Sequence, residues 1–508
     1  MAEPGGASPT RSTSKTTVWV LGDQLDPRMG ALAEADPDTH RVLIVEAADL
    51  LGKRRWHRQR AHLVVASMHR FAGALTNAGF DVDHRVAPTM VEGVRAHLAE
   101  FVPPELLVTE PNSRTGRRVA SALGATQVRS DQFLCHHDEF ASWANGRRTL
   151  RMEDFYRWNR SRLGYLMDGN QPAGGRWNFD ADNREPPPGD GRSWPEPVRV
   201  PLDDVDRRVL AALPSTCWGG DPDGTWATNR EHALRQLRHA IDVVLPVFGP
   251  HEDAMLSSSW HLAHSLLSPA LNIGLLHPRE VCDEIEIAYR SGLVPIASAE
   301  GLLRQILGWR EYVWGVYWLW GEQYAALNAL DAIRPLPPLY TGAATDMQCL
   351  RHALGAVHDH GWTHHIQRLM ILGNLALLSG VRPLDLVEWM TASFVDSAEW
   401  VMLPNVIGMA LHADGGMMAT KPYAAGGAYI DKMSDYCRTC SYDRKQRAGP
   451  DACPYTTLYW NFIATHAERF DRNPRMVHAV RSSRRLGDLG AVRATARHQL
   501  DRLDAAVL

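Results

Sequence analysis

Residues 17–24 read TVWVLGDQ, and residues 41–46 read RVLIVE. Each stretch is an apolar run, rich in β-branched residues, that ends on glycine or polar residues, which is typical of a buried strand. Weaker runs at 80–86 and 106–109 continue the series, and helical patterns separate them. Strands that alternate with helices predict a parallel α/β sheet in this part of the chain.

Polar side chains follow the two strongest of these strands. Asp23 and Gln24 come directly after the first run, and Glu46 ends the second. Ligands of parallel α/β sheets bind beyond the carboxyl ends of the strands. The same residue types also form turns and helix caps, so the sequence alone leaves a ligand site and a structural role both open.

The remainder of the chain has a helical pattern. Residues 170–202 are rich in Pro and Gly and predict a long connection. Apolar residues then recur at helical spacing in 230–248, 253–272, 278–292, 298–325, 347–358, 363–379 and 383–393. We therefore predict a disordered N-terminus at 1–16, an α/β domain at 17–140, an interdomain linker at 141–225 and a helical domain at 226–508.

Composition limits the possible classes of protein. Of 508 residues, 45% are hydrophobic and 22% are charged, which excludes a disordered or collagen-like chain. The net charge of -4 excludes a generally basic nucleic-acid binder, so any contact with DNA requires a local patch. The polar first 16 residues and the absence of a long apolar stretch predict a cytoplasmic protein without a membrane segment.

Four of the seven cysteines lie in the C-terminal part, at Cys349, Cys437, Cys440 and Cys453. The C-x2-C pair lets two thiolates of one turn bind one centre, and the other two cysteines complete a set of four. Four thiolates suit Zn²⁺ or a [4Fe–4S] cluster, and the spacing does not distinguish between them. Four buried structural thiols are the alternative.

Three helical-domain motifs are more specific. Residues 304–320 read RQILGWREYVWGVYWLW, residues 264–271 read HSLLSPAL, and residues 362–370 read WTHHIQRLM. Together they resemble the flavin-binding domain of the photolyase/cryptochrome family. The sequence GDQL at 22–25, the sequence LPNVIG at 403–408 and the four cysteines are similar to one branch of that family, the iron–sulfur bacterial cryptochromes and prokaryotic (6-4) photolyases.

The resemblance implies an α+β multidomain fold, with a Rossmann-like α/β antenna domain and a large all-α FAD-binding domain that carries the four-cysteine iron–sulfur region. It implies FAD, a [4Fe–4S] cluster and a 6,7-dimethyl-8-ribityllumazine antenna as cofactors, with Mg²⁺ as a further candidate. The implied enzyme is a monomeric (6-4) photolyase that repairs (6-4) photoproducts in UV-damaged DNA with light and is associated with the nucleoid when bound to DNA. The alternatives are a blue-light photoreceptor with FAD and little or no repair, and a zinc-containing DNA-binding scaffold without flavin.

The resemblance also implies roles for individual residues. His365 is the predicted proton donor, and Tyr423 and Asp253 are the other candidates in the lesion pocket, although Asp253 would also suit the N-terminus of a helix. His364 and His365 are expected on one helix, with side chains about 100° apart. The predicted FAD contacts are Ser265, Leu267, Ser268, Gln305, Arg310, His364, Arg368, Asp396 and Asn405. For Arg310, pairing with Glu311 is the alternative.

Three further groups complete the implied site. Asp23, Gln24 and Glu46 are the predicted lumazine contacts. Trp389 is the predicted electron relay, and because Met390 is not an oxidisable aromatic residue, the next step is left open between Tyr340 and Trp400. Basic residues cluster around the cysteine loop and in the C-terminal arm, and a solvated charged face is the alternative to contact with DNA. The predicted DNA contacts are Lys421, Lys432, Arg438, Arg444, Lys445, Arg447, Arg472, Arg475, Arg481, Arg484 and Arg485.

Overall fold

The computed structural model describes residues 14–508. The chain forms two compact units, which are treated separately below. The first comprises residues up to Lys53 together with Val64–Gln132, and the second comprises Arg54–Leu63 together with Phe133–Leu508. The predicted disordered segment at 1–16 lies mostly outside the described residues, and the first strand already begins at Thr16.

The first unit is built on a parallel sheet. Its strands are β1 Thr16–Val20, β2 His40–Ala47, β3 Asp81–Ala87, β4 Leu106–Thr109 and β5 Thr126–Val128. They lie in the order β3-β2-β1-β4-β5, and every neighbouring pair is parallel. The helices up to residue 132 are α1 Gly30–Ala33, α2 Ala48–Gly52, α3 Arg58–Asn77, α4 Met90–Phe101 and α5 Arg114–Ala122. The four predicted strands and their parallel arrangement are confirmed.

The two faces of β2 have different surroundings. Leu43 and Val45 point into a fully buried cluster with Val94 of α4. Helix α4 begins with a capping box of Thr89 and Glu92, and a Cβ at Gly93 would lie 2.4 Å from the Val45 side chain. This close approach holds α4 against one face, so the alternate residues of β2, which include Glu46, lie on the other.

The second unit is largely helical. Its α-helices are α6 His137–Ala144, α7 Met152–Leu163, α8 Asp204–Ala212, α9 Arg230–His239, α10 Leu245–Phe248, α11 Ser268–Asn272, α12 Pro278–Arg290, α13 Ile296–Leu303, α14 Glu311–Trp320, α15 Gln348–His360, α16 Asn374–Ser379, α17 Pro383–Ser393, α18 Glu399–Pro404, α19 Gly427–Met433, α20 Pro454–Thr465, α21 Ala467–Phe470, α22 Val477–Arg484 and α23 Leu489–Asp504. A short antiparallel pair, β6 Met167–Asp168 and β7 Gln171–Pro172, precedes α8.

Tighter and wider helical turns extend several of these helices. The π-helical segments are Ala240–Val244, Arg304–Arg310, Gln367–Gly373 and Asn405–Ala410. The 3-10 turns are Ala173–Gly175, Asp180–Asn183, Glu322–Ala326, Pro338–Thr341 and Tyr436–Arg438. Three π segments coincide with the sequence motifs at 304–320, 362–370 and 403–408, and π-helical turns are frequent at functional sites.

The tryptophan-rich motif forms the centre of the core. Trp314 of α14 is 1% exposed and stacks on Phe133, with ring centroids 3.8 Å apart. Trp320 stacks on Tyr324 at 4.7 Å. These rings contribute apolar area and aromatic packing, which is the usual role of aromatic residues at helical spacing.

The helix predicted at 253–272 is wrong over most of its length, since only α11 forms there. Leu262 and Leu266 adopt left-handed backbone conformations, with φ of 44° and 55°. Ser257 is held by Asp435, which accepts hydrogen bonds from the Ser257 backbone N–H at 2.8 Å and from its hydroxyl at 2.7 Å. Because serine competes for backbone hydrogen bonds and left-handed residues interrupt a helix, apolar spacing alone misidentifies this segment.

Across residues 14–508, none of the helices combines the length and the apolar character needed to cross a bilayer.

Candidate cofactor and substrate site

Asp396 is contacted by several of the predicted flavin-binding residues, and it is called the hub of the site below. Arg368 forms a bidentate ion pair with its carboxylate, with distances of 2.9 and 3.0 Å. The Ser268 hydroxyl donates to the same carboxylate at 2.7 Å, and the Asn272 side chain donates to the Asp396 carbonyl at 2.7 Å. Thus α11, the π-helical segment Gln367–Gly373 and the loop before α18 meet at one buried carboxylate.

Arg368 is fixed from two further directions. Its Nε donates to the Thr363 carbonyl at 2.7 Å, and its guanidinium lies 4.1 Å from the centroid of the Phe394 ring. Bidentate pairing and an aromatic face together hold the planar guanidinium in one orientation. The Arg368 charge is therefore fixed in position before any ligand binds.

Two imidazoles adjoin this ion pair. The rings of His264 and His364 stack at 4.6 Å with an interplanar angle of 16°. His364 is 1% exposed, and neither of its ring nitrogens has a hydrogen-bond partner among the described residues. Desolvation lowers the pKa of His264 to about 3 and that of His364 well below its usual range. Both rings are neutral at pH 7 and present unused polar atoms.

His365 has a different setting from the one predicted. Helical structure begins at His365, so His364 precedes the helix and the expectation that both lie on it is wrong. His365 has an exposed side chain. Desolvation by the protein around the ring nevertheless lowers its pKa to about 4, and the charge of Arg368 adds to this effect. The side chain is accessible but neutral at pH 7.

A second polar cluster contains Gln305 and Asp253. Gln305 donates to Glu252 at 2.8 Å, and Asp253 lies 3.9 Å from the Arg184 guanidinium. Burial raises the pKa of Glu252 to about 7 and that of Asp253 to about 6. Burial also raises the pKa of the Tyr423 phenol, and the nearby charge of Arg184 opposes that rise. Two carboxyl groups close to their protonated forms are thus available here.

The other predicted flavin residues have mainly structural contacts. Arg310 forms a buried ion pair with Glu311 at 2.8 Å and lies 4.1 Å from the Phe133 ring, which is the alternative that the sequence left open. Asn405 donates to the Val401 carbonyl one turn earlier. Leu267 is buried and Ser265 is half-buried, directly beside the left-handed Leu266. None of these contacts joins the hub at Asp396.

The predicted relay residue, Trp389, is buried beside the hub. Its ring lies 5.8 Å from Phe394 and 5.0 Å from Tyr340, and its indole N–H donates to the Tyr340 carbonyl at 2.7 Å. The other candidate for the next step, Trp400, instead packs edge-on against Phe133 at 5.0 Å. Direct contact with Trp389 therefore distinguishes Tyr340 from Trp400.

The four C-terminal cysteines line one cavity, with Met347, Ile430 and Tyr455 among its apolar walls. Burial raises the pKa of the Cys349 thiol well above its usual range and that of Cys437 to about 12. Within the described part of the chain, no three of these sulfurs lie within 4.8 Å of one another. A single tetrahedral zinc ion, with Zn–S bonds of ~2.3 Å, would bring all four sulfurs to within about 4 Å of one another.

The predicted antenna residues of the α/β unit fall into two places. Asp23 accepts a hydrogen bond from the Asn112 side chain at 3.0 Å. The buried Gln24 donates to the Glu110 carbonyl at 2.8 Å, while its own buried amide oxygen has no partner in the described part of the chain. Glu46 lies instead with His69 and His84, two residues that the sequence analysis did not identify.

The basic residues predicted to contact DNA are partly engaged within the chain. Arg444 pairs with Asp431, and Arg447 pairs with Asp488 at 2.8 Å. Arg484 forms a bidentate pair with Asp471. These three arginines are partly neutralised, so the remaining basic side chains of the set carry most of its free positive charge.

Comparisons with known proteins agree with this architecture. Residues 18–219 match the family model for deoxyribodipyrimidine photo-lyase-related proteins. The chain is 39% identical to a (6-4) photolyase of Agrobacterium fabrum, over 97% of this chain and 98% of that protein. The crystal structure of a bacterial class III photolyase from Agrobacterium tumefaciens superimposes with a TM-score of 0.58 at 14% identity, covering 98% of this chain and 100% of that one.

A cryptochrome of Synechocystis sp. PCC6803 is also similar, with a TM-score of 0.50 at 13% identity over 78% of this chain and 82% of that one. The two structural similarities concern the fold alone, and the predicted fold class is confirmed. The near full-length identity of 39% extends the agreement from fold to family and confirms the prediction of a photolyase-type enzyme. The chain is therefore a member of the photolyase/cryptochrome family.

Proposed function

We propose that the helical unit binds FAD and uses it for light-driven repair of (6-4) photoproducts in DNA. The observation that carries the proposal is the buried His364, whose two ring nitrogens have no hydrogen-bond partner within residues 14–508 although they lie beside a fixed arginine and carboxylate. Leaving buried polar atoms unpaired costs about 1–3 kcal/mol per group unless a ligand satisfies them. A polar ligand at this place would remove that cost.

The residues present fit a flavin. Arg368, Asp396, Ser268 and His364 would hold it, with Gln305 and Asn405 as further candidates. When bound in its reduced form, FAD supplies an electron to a pyrimidine lesion on absorbing blue light. The protein's part is to orient the cofactor, exclude water and admit a damaged dinucleotide that has left the duplex stack.

His365 would supply the proton that (6-4) repair requires. Its exposed side chain, next to the neutral His364 and the positive Arg368, is accessible to a bound lesion. In the ligand-free chain its pKa of about 4 keeps the imidazole neutral. Phosphates bound near the imidazole would stabilise its protonated form and raise the pKa of His365 toward the value that favours proton donation at pH 7.

Tyr423 and Asp253 would complete the lesion pocket. Asp253 is close to its protonated form at neutral pH because its pKa is about 6. It can therefore donate a hydrogen bond as an acid or accept one as a carboxylate. Mg²⁺ remains a candidate at the carboxylates of this cluster, since hard cations prefer oxygen ligands.

Trp389 and Tyr340 would carry electrons toward the flavin. Their edge-to-face contact at 5.0 Å supports Tyr340 as the second residue of the relay. Phe394 lies between Trp389 and Arg368, and it is not readily oxidised. It would therefore pack the relay rather than serve as a step of it.

The wide separation of the four sulfurs supports a [4Fe–4S] cluster over a single zinc ion at the cysteine site. Cluster binding would deprotonate thiols whose pKa burial has raised, so binding should weaken as the pH falls. We assign the cluster a structural role, in which it joins α15 to the segment before α20. In the α/β unit, Asp23, Gln24 and Glu46 would bind the lumazine antenna.

DNA would bind through those basic side chains of the predicted set that form no ion pair with the described residues. The protein would act as a monomer in the cytoplasm. Repair by this chain should therefore weaken with rising salt.

Anaerobic blue-light illumination of the reduced protein with a (6-4)-containing oligonucleotide tests the proposal. We expect the undamaged bases to be restored. His365→Ala should lower the repair rate by roughly 10²-fold or more, the usual contribution of a general acid, and should leave flavin photoreduction unchanged. Absence of repair by the wild-type protein would refute the repair function. Repair that survives the His365→Ala change would refute the assignment of the proton donor.

A blue-light photoreceptor is the second candidate, and the contact of Trp389 with Tyr340 supports it, because a photoreceptor needs the relay but not a proton donor for the lesion. A photoreceptor would undergo flavin photoreduction, which the relay supports, without turning over DNA. The same assay separates the two functions, since only the repair enzyme needs His365.

A further inference from the structure

Glu46, His69 and His84 converge in the α/β unit. The Nε2 atoms of His69 and His84 lie 2.8 and 2.6 Å from the same carboxylate oxygen, Glu46 Oε1. The two imidazole rings are 4.7 Å apart, at an angle of 74°. All three donor atoms lie within 4.8 Å of one another.

The register of the sheet explains why these residues meet. In the parallel pairing of β2 with β3, Glu46 is opposite Val86 and Ile44 is opposite His84. Glu46 and His84 are therefore diagonal neighbours on one face of the sheet. This is the face opposite α4, and helix α3 contributes His69 to it.

The contacts do not have the geometry of ordinary hydrogen bonds. Glu46 Oε1 and His84 Nε2 are buried, and neither has a hydrogen-bond partner among residues 14–508 despite the short distances. The Nε2 atoms of His69 and His84 therefore lie close to Glu46 Oε1 without forming a hydrogen bond to it. This arrangement is expected when the three atoms share a ligand that lies between them.

The donor set identifies the class of ligand. Two imidazole nitrogens and one carboxylate oxygen are the protein ligands of many zinc sites and of several other divalent transition metals. Mg²⁺ and Ca²⁺ prefer all-oxygen sites. We propose that Glu46, His69 and His84 bind a divalent transition metal ion, with Zn²⁺ as the probe, in the α/β unit.

The exposed fractions of the three side chains fit a site that can exchange its metal ion with solvent. The His69 side chain is 39% exposed, whereas Glu46 and His84 are 14% and 19% exposed. An ion could enter from the His69 side, and a fourth coordination position would remain open there. Glu46 has a second carboxylate oxygen, so metal binding and the antenna contact proposed above would use different atoms.

Zinc uptake by the full-length protein tests the proposal. The cysteine site should first be loaded anaerobically with its cluster, so that it does not compete for added Zn²⁺. We expect the wild-type protein to take up one equivalent of Zn²⁺ more than His69→Ala and His84→Ala. His40→Ala is the matched control, because His40 lies on β2, the strand of Glu46, but at its opposite end. This variant should bind zinc like the wild type.

X-ray absorption at the zinc edge identifies the ligands. The wild-type protein should show a nitrogen and oxygen shell at ~2.0–2.1 Å with imidazole scattering. Equal zinc uptake in all four proteins would overturn the proposal, and so would a spectrum with only sulfur at ~2.3 Å. His69 is on an exposed helix surface, so His69→Ala keeps the test valid even if His84→Ala folds poorly.

Discussion

The histidines of the helical unit and those of the α/β unit have opposite electrostatic surroundings. His264 and His364 lie beside Arg368, whose carboxylate partner, Asp396, is already engaged. His69 and His84 instead share the carboxylate of Glu46. Burial, more than the Arg368 charge, lowers the pKa of His264 and His364. The two buried imidazoles are therefore neutral and can face a polar ligand, whereas the two beside the Glu46 carboxylate form part of the proposed cation site.

The largest expected effect concerns the Arg368–Asp396 ion pair of the helical pocket. Arg368→Ala leaves Asp396, whose side chain is 8% exposed, without its cation. We expect the free energy of unfolding to fall by about 3–5 kcal/mol, because the carboxylate remains buried and uncompensated. Denaturant unfolding measures this loss.

Arg382→Ala is the matched control. Arg382 pairs with Asp385 at 2.8 Å, but its side chain is 54% exposed. Removing this surface pair should cost no more than about 1 kcal/mol. Equal losses in the two variants would show that the Arg368–Asp396 pair is not desolvated as described.

The second prediction concerns acid stability. His264 and His364 have a pKa below that of the unfolded chain, so the unfolded state binds more protons as the pH falls below about 6.5. Each histidine should then lower the free energy of unfolding by up to about 1.4 kcal/mol per pH unit between pH 6.5 and 4.5. His364→Gln should reduce the slope of the free energy of unfolding against pH by the contribution of one proton, about 1.4 kcal/mol per pH unit. A slope identical to that of the wild type would contradict the neutral, desolvated state of His364.

The third prediction sharpens the account of the relay. Trp389→Phe should abolish most flavin photoreduction, and Tyr340→Phe should slow it, because Tyr340 contacts Trp389 directly. Trp400→Phe is the control, since Trp400 packs against Phe133 instead. Illumination in the presence of a reductant, followed by absorption spectroscopy of the flavin, gives the photoreduction rate of each of the three variants. A larger loss of photoreduction in Trp400→Phe than in Tyr340→Phe would identify Trp400, and not Tyr340, as the next residue of the relay.

The smallest effect is expected in the α/β unit. Without metal, His69→Ala should change the free energy of unfolding by no more than about 0.5 kcal/mol, as for other exposed substitutions. Added Zn²⁺ should raise the melting temperature of the wild-type protein and leave that of the variant unchanged. Identical zinc responses would remove the distinction between the two groups of histidines.

Local sequence patterns predicted the parts of the fold that local interactions determine. The strands at 17–21 and 41–45 were identifiable because β-branched runs end at polar residues. β5 was missed because its three residues, Thr126–Val128, have no apolar run. The segment 253–267 was misassigned because Asp435, distant in sequence, holds Ser257 out of a helix.

The candidate sites show the same limit. The C-x2-C spacing indicated a shared centre, and all four cysteines line one cavity. His69 and His84 carried no such signal, because they are 15 residues apart, on a helix and a strand, and meet Glu46 only through the register of β2 and β3. The partner of Arg310 was likewise left open, since pairing with its neighbour and contact with a ligand are equally compatible with the sequence.

The flavin content of the gently isolated protein tests the central claim most directly. We predict one FAD per wild-type chain, released on denaturation, and a clearly lower occupancy in His364→Gln when both are purified side by side. A folded wild-type chain that retains no flavin, even after incubation with FAD, would contradict the proposed pocket.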